Sequence, residues 1–215
     1  MKEHPSIRKS EQCAHKYVRT DRSIPGLNYF YLQCEKCNRV VYPVPELQKL
    51  QDYAKEHQFM FVHDWILALM YARDDAPMIG ITTFVKQLFL TLLEFAQRNK
   101  IPSENPGFRG YDFGPYAERI VYAINGLEAA GLIETRKRRG TVGEYFFLTN
   151  RGLDEARKSF GKLTQPQQDE FRKERTKWHE WGVDGIEKYI YQKYPEFAEE
   201  SKVLDKVLHR RRVGR

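Results

Sequence analysis

The segment from Asp112 to Ala156 constrains the fold of this chain more than any other stretch. Its pattern is a helix, a short strand, a turn rich in cations, a second strand and another helix. Pro115 predicts the start of the first helix, because proline at the first helical position lacks only an N–H that has no partner there. Gly131 predicts its end, since glycine readily takes the left-handed conformation that follows a helix. The apolar face of this helix carries side chains spaced by three and four residues: Tyr116, Ile120, Val121, Ile124 and Leu127.

Two strands joined by a basic turn follow this helix. Leu132 and Ile133 begin the first strand, the apolar run 145–148 supplies the second, and residues 140–143 predict the turn between them. Thr149 or Asn150 is expected to cap the next helix. This order of elements is typical of a winged helix, and the tip of the wing would carry four consecutive cations: Arg136, Lys137, Arg138 and Arg139.

Composition favours a compact basic protein. The chain has 215 residues, of which 41% are hydrophobic and 30% charged, with a formal net charge of +7. That length holds one ordinary domain and a small appendage. The longest apolar run, Trp65 to Ala72, is far too short to span a membrane, and residues 1–12 lack the apolar core of a signal peptide. Three cysteines do not make a disulfide framework. We therefore expect a cytoplasmic protein with no membrane association.

The predicted fold class is mainly α within α+β. The expected strands are Lys16–Arg19, Asn28–Gln33 and Arg39–Tyr42, with a turn at residues 24–26, and the last helix is expected at Ala198–Leu208. We predict four regions: a zinc-ribbon-like module with an N-terminal arm (1–44), a linker helix (45–61), a winged-helix domain (62–161), and C-terminal helices with a basic tail (162–215).

The cysteines and one histidine predict a metal site. Cys13 and His15 lie two residues apart, which places them on the same face of a strand, and Cys34-x-x-Cys37 has the spacing of a metal-binding knuckle. Four such ligands favour tetrahedral Zn²⁺ in a structural role, because no position stays open for water. Two alternatives remain. One is a Cys-x-x-Cys redox pair with an unrelated Cys13 and a surface His15, and the other replaces His15 by His4 or His57.

Cations predict contact with nucleic acid. Arg136–Arg139 could follow phosphates or enter a minor groove, and the tail residues Arg210, Arg211 and Arg212 could bind phosphate. The helix before the wing would then enter the major groove. Its base-contacting candidates are Arg119, Tyr122 and Asn125. Two acids and one cation are expected on its outward face, which disfavours base reading; that face comprises Ala117, Glu118, Arg119, Tyr122, Asn125 and Glu128.

Three motifs give the chain a family resemblance. They are the helix start from Ile79-Gly80-Ile81-Thr82 to Lys86, the turn Phe113–Tyr116 and the strand Gly131–Ile133. Through these three motifs, residues 60–203 resemble prokaryotic winged-helix proteins grouped with phage-associated and Panacea-type antitoxin domains. The N-terminal module lies outside the resemblance. Such a family implies a fold more firmly than an activity, because its members resemble DNA binders or antitoxins.

Motifs for enzymatic chemistry are missing from the sequence. It contains no phosphate loop, no dinucleotide glycine pattern and no Gly-x-Ser-x-Gly elbow, so we do not expect an enzyme. The first functional hypothesis is a DNA-binding regulator with structural zinc, which could form a homodimer through residues 165–208. The second is a protein-interaction module, similar to an antitoxin domain, that binds a protein partner.

Overall fold

A computed structural model describes residues 13–73, 76–137 and 143–209 of the chain. Its α-helices and two three-stranded sheets confirm the α+β prediction. The buried apolar side chains form two clusters, a large one in the helical part and a small one beside the first sheet. None of the described helices combines the length and the apolar character that a membrane crossing requires.

The first sheet is antiparallel, with strands β1 (Tyr17–Ile24), β2 (Leu27–Cys34) and β3 (Val40–Val41) in that spatial order. All three strands were predicted, although β1 runs to Ile24 because it pairs with β2 along its whole length. One face of the sheet packs on helix α1 (Val44–Glu56). The small apolar cluster lies between them and consists of Tyr29, Tyr31, Leu50, Phe59 and Phe61.

The central part of the chain contains helix α2 (Val62–Tyr71), most of whose side chains are buried, and the second sheet. This sheet consists of β4 (Met78–Ile79), β5 (Ile133–Lys137) and β6 (Glu144–Leu148) in the spatial order β4-β6-β5, and it is antiparallel throughout. Its two-residue strand β4 was not predicted. The helices of this region are α3 (Ile81–Leu90) with a π-helical continuation (Thr91–Ala96), α4 (Glu118–Ala129) and α5 (Asn150–Gly161).

The predicted start of the helix at Pro115 is wrong, because α4 begins at Glu118. Tyr116 is extended instead. Its N–H donates to the carbonyl of Arg109 at 2.9 Å, and its carbonyl accepts from the N–H of Arg109 at 3.0 Å. This two-way pairing joins the residues before α4 to the long loop of residues 99–114, and local sequence does not reveal such a contact.

The C-terminal region contains helix α6 (Gln165–Lys193), which is interrupted at Gly182, where φ is +62°. The sequence predicts two helices here, Gln165–Trp181 and Asp184–Tyr194, and the break lies between them. A short 3-10 turn (Pro195–Phe197) and helix α7 (Leu204–His209) follow. The predicted last helix is therefore wrong over its first half, because the N–H of Lys202 donates to the carbonyl of Asp112 at 2.9 Å rather than within a helix.

Two helical glycines predict opposite effects of an added methyl group. A Cβ at Gly152 in α5 would lie 1.8 Å from the carbonyl oxygen of Leu132, whereas a Cβ at Gly126 in α4 would meet nothing within 4 Å. We expect Gly152→Ala to lower the free energy of unfolding by about 1–3 kcal/mol through overpacking. Gly126→Ala should raise it by up to about 1 kcal/mol, since alanine is the better helix former. Urea denaturation of both variants measures the difference, and equal effects would contradict this close approach of α5 to Leu132.

Candidate metal centre and nucleic-acid interface

The four residues expected to bind metal lie together at one end of the first sheet. One ligand atom from each of Cys13, His15, Cys34 and Cys37 lies within 4.8 Å of the other three. The Cys37 Sγ is 3.3 Å from the His15 Nδ1, and the Cys13 Sγ is 3.9 Å from the Cys34 Sγ. Cys34 and Cys37 are buried, while Cys13 and His15 are partly exposed. The cluster is compatible with a metal ion.

Backbone hydrogen bonds shape the knuckle that carries the second cysteine pair. The N–H of Asn38 donates to the carbonyl of Cys34, and the N–H of Cys34 donates to the carbonyl of Arg39, both at 2.9 Å. Asn38 has a φ of +55°, a conformation that asparagine tolerates better than most residues. The N–H of Glu35 donates to the carbonyl of Lys16 at 3.1 Å, which ties the knuckle to the strand leading from His15. The turn therefore converges on the first ligand pair.

The two cysteines of the knuckle differ in their pKa values. Burial opposes ionisation of Cys34, but hydrogen bonds from His15 and from the backbone of Cys37 and Lys36 outweigh it and hold its pKa at about 6. Burial, together with the neighbouring sulfurs of Cys34 and Cys13, raises the pKa of Cys37 to about 11. The negative charge of one thiolate therefore opposes formation of the other. A divalent cation would stabilise further thiolates, which is the state in which cysteine binds metal.

The geometry separates the alternatives for this cluster. Cys13 and His15 approach the Cys-x-x-Cys pair, so they are not unrelated to it. His57 lies elsewhere: its ring stacks on Tyr53 at a centroid distance of 4.2 Å, and its Nδ1 is 3.2 Å from the Tyr53 carbonyl. His57 therefore does not replace His15 as the fourth ligand. His4 lies outside the described residues.

Comparison with known proteins bears on the resemblance rather than on this geometry. The sequence matches no protein-family model and no curated protein. The likeness to Panacea-type domains stays a prediction.

The described part of the cationic run lies at the end of strand β5. The guanidinium of Arg136 donates to both carboxylate oxygens of Glu134 at 2.8 and 2.9 Å and lies over the ring of Phe147. Lys137 is 3.5 Å from a carboxylate oxygen of Glu144. Both cations are exposed, with side-chain exposures of 61% and 80%. The other two wing cations, Arg138 and Arg139, lie outside the described residues, as do the tail residues Arg210, Arg211 and Arg212.

Helix α4 presents two of its three expected base-contacting residues to solvent. Tyr122 is 46% exposed and Asn125 is also exposed. Arg119 is half-buried, and its Nε donates to the Glu104 carboxylate at 2.7 Å. This ion pair limits the reach of Arg119 toward a partner.

The expected outward face of α4 needs one correction. Ala117 and Glu118 are buried, with exposures of 1% and 9%. Ala117 belongs to the large apolar core, and Glu118 lies beside Arg109 and Arg39. Glu128 remains the exposed acid among the residues expected on that face. The outward surface of α4 is therefore less acidic than the sequence predicted.

Sequence reasoning missed a cleft beside the first turn of α4. Arg39 from the knuckle and Arg109 from the long loop both approach Glu118, at 3.7 Å and 3.3 Å. The three residues are far apart in the sequence, and no motif links them. Only the fold brings them together.

Proposed function

We propose that this chain is a winged-helix protein that binds DNA and is stabilised by a structural zinc ion. The strand order β4-β6-β5, with α4 directly before the β5–β6 hairpin, carries this proposal. In a winged helix, the helix before the hairpin docks in the major groove and the hairpin contacts the backbone beside it. The exposed residues Tyr122 and Asn125 then face the bases, and Arg136 and Lys137 face phosphate.

Zinc is the metal that the four-residue cluster fits best. Three thiolates and one imidazole form a soft donor set, and Zn²⁺ takes four such ligands in tetrahedral geometry. The cluster fills all four positions, so a bound ion would have no site for substrate or water. Zinc would therefore hold the first sheet together rather than act in catalysis, and we propose no enzymatic activity.

The ion pairs at the wing do not prevent phosphate binding. Arg136 and Lys137 are paired with Glu134 and Glu144 on the protein surface, where water and salt screen the attraction. A DNA phosphate brings a denser charge and releases condensed counterions when a cation approaches it. Both cations can therefore exchange their carboxylate partners for phosphate at little cost.

Removal of two wing cations is expected to weaken DNA binding and to reduce its salt dependence. For Arg136→Ala/Lys137→Ala, the slope of log K against log salt should fall by up to about two, because each phosphate contact contributes roughly 0.9. The matched control is Arg157→Ala/Lys158→Ala on α5, where two exposed cations pair with Asp154 and Glu155 in a similar way. Fluorescence anisotropy with a labelled duplex over a salt series measures both slopes.

Two results would reject this role for the wing. One is an unchanged salt slope after the wing substitutions, and the other is an equal loss in the α5 control. Removal of all four cations, including Arg138 and Arg139, is the more severe test, and we expect it to abolish DNA retention at moderate salt.

The second candidate function is binding of a protein partner, similar to that of an antitoxin domain. The neutral surface of Tyr122 and Asn125 and the internally paired cations Arg136 and Lys137 favour it. This reading predicts no DNA binding even at low salt. Tyr122→Ala should then weaken the pull-down of the protein partner. With no DNA binding, there would be no salt dependence of DNA affinity to measure.

A further inference from the structure

A cleft of about 240 Å³ lies between the metal-binding knuckle and the first turn of α4. Val40, Leu47 and Pro106 form an apolar wall, and Tyr122 lies at the side of α4. The charged residues that line the cleft are Arg39, Arg109, Arg119, Glu104 and Glu118.

Arg119 and Glu104 form an ion pair with each other. The Nε of Arg119 donates to an oxygen of Glu104 at 2.7 Å, and the second oxygen of Glu104 accepts from the N–H of Val62 at 2.9 Å. Glu104 is only 1% exposed. This pair closes one side of the cleft and leaves no unpaired charge there.

Glu118 is left with one unused acceptor, and Arg39 is only partly engaged. The Nη1 of Arg39 lies 3.4 Å from the Nε2 of His15. One carboxylate oxygen of Glu118 accepts from Arg109 at 3.3 Å, but its Oε2 has no hydrogen-bond partner among the described residues. The Nε of Arg39 is 3.7 Å from that Oε2, too far for a hydrogen bond. Since Glu118 is 9% exposed, an unmet carboxylate oxygen is costly there. The cleft thus offers one acceptor and one partly free guanidinium beside an apolar wall.

We propose that this cleft binds a free α-amino acid with an apolar side chain. The ammonium group donates to the Oε2 of Glu118, the carboxylate accepts from Arg39, and the side chain packs against Val40 and Leu47. A zwitterion matches the remaining acceptor and donor together, whereas a simple anion or amine satisfies only one of them. The volume suits residues of the size of leucine or methionine. Tyr122 belongs both to this cleft and to the surface proposed to face DNA, but the titrations below contain no DNA. Their outcome therefore does not depend on the function proposed above.

Calorimetric titration of the zinc-loaded full chain with L-leucine tests the proposal. We expect saturable binding with a Kd below about 1 mM. Two analogues separate the contacts. 4-Methylpentanoate lacks the ammonium, 3-methylbutylamine lacks the carboxylate, and each should bind at least about tenfold more weakly, since a hydrogen bond to a charged group is lost. These titrations use the unaltered protein and do not depend on the folding of a variant.

A matched pair of variants assigns the site. Glu118→Gln should weaken L-leucine binding by about tenfold or more, and Glu128→Gln, at an exposed acid of the same helix, should leave it unchanged. The proposal is overturned if L-leucine, L-methionine and L-phenylalanine all fail to bind below about 1 mM. It is also overturned if both analogues bind as well as L-leucine, or if the two variants behave alike.

Discussion

A Cys34→Ser variant is expected to lose the proposed zinc ion and, with it, the fold of the first sheet. The Cys34 side chain is fully buried, and serine offers a hard oxygen in place of a thiolate. Structural zinc contributes about 10–16 kcal/mol to the folding of small zinc modules. The apolar cluster beside this sheet has only five buried residues, so it cannot replace that contribution. Elemental analysis should find about one equivalent of zinc in the parent protein and almost none in the variant.

The loss of structure should stay local. The cluster around Tyr31 and Leu50 is separate from the large core that contains Trp65 and Trp178. We expect backbone amides of β1 and β2 to exchange rapidly with deuterium in the variant, while those of α2 stay protected. Full retention of zinc, or equal loss of protection in both regions, would contradict a structural site confined to the first sheet.

Histidine variants provide the matched control for the metal. His15→Ala should reduce the affinity for zinc by removing one of the four proposed ligands. His57→Ala should not change it, because His57 packs on Tyr53 away from the cluster. Competition with a chromogenic chelator measures both affinities. Weaker zinc binding by the His57 variant would instead favour His57 as the fourth ligand.

The cluster was predictable because its geometry is encoded locally. Side chains two residues apart on an extended segment point to the same face. The Cys-x-x-Cys turn brings its two sulfurs together through its own backbone alone. The hairpin that joins the two pairs could also be predicted from residues 24–26. The presence of the helices could be predicted for the same reason. The spacing of apolar residues within one segment indicates a helix with one buried face.

Long-range contacts limited the rest of the prediction. Tyr116 looks like part of a helical stripe, but its pairing with Arg109 keeps the segment extended and buries Glu118. The cleft beside α4 depends on Arg39, Arg109 and Glu118, which have no sequence spacing in common. Strand β4 has only two residues and exists because Met78 and Ile79 pair with β6. No local pattern could reveal these contacts.

A buried ion pair between α3 and α6 gives the largest expected effect on the stability of the helical core. The ammonium of Lys86 donates to the carboxylate of Glu187, and their side chains are 1% and 9% exposed. Glu187→Leu leaves the Lys86 charge without this partner. We expect a loss of about 3–5 kcal/mol in the free energy of unfolding. The control Glu155→Leu removes an exposed partner of Lys158 and should change stability little.

The double variant separates the ion pair from simple packing. Lys86→Met/Glu187→Leu removes both charges and should recover most of the loss, since buried pairs are often replaced by apolar residues at little cost.

Burial lowers the pKa of Lys86 from its ordinary value of 10.5, although Glu187 opposes that shift. In Glu187→Leu the unfolded chain therefore binds more protons at this lysine than the folded chain, so stability should rise with pH toward that ordinary value. Urea denaturation at several pH values measures this, and a loss below about 1 kcal/mol with no pH dependence would show that the pair contributes little.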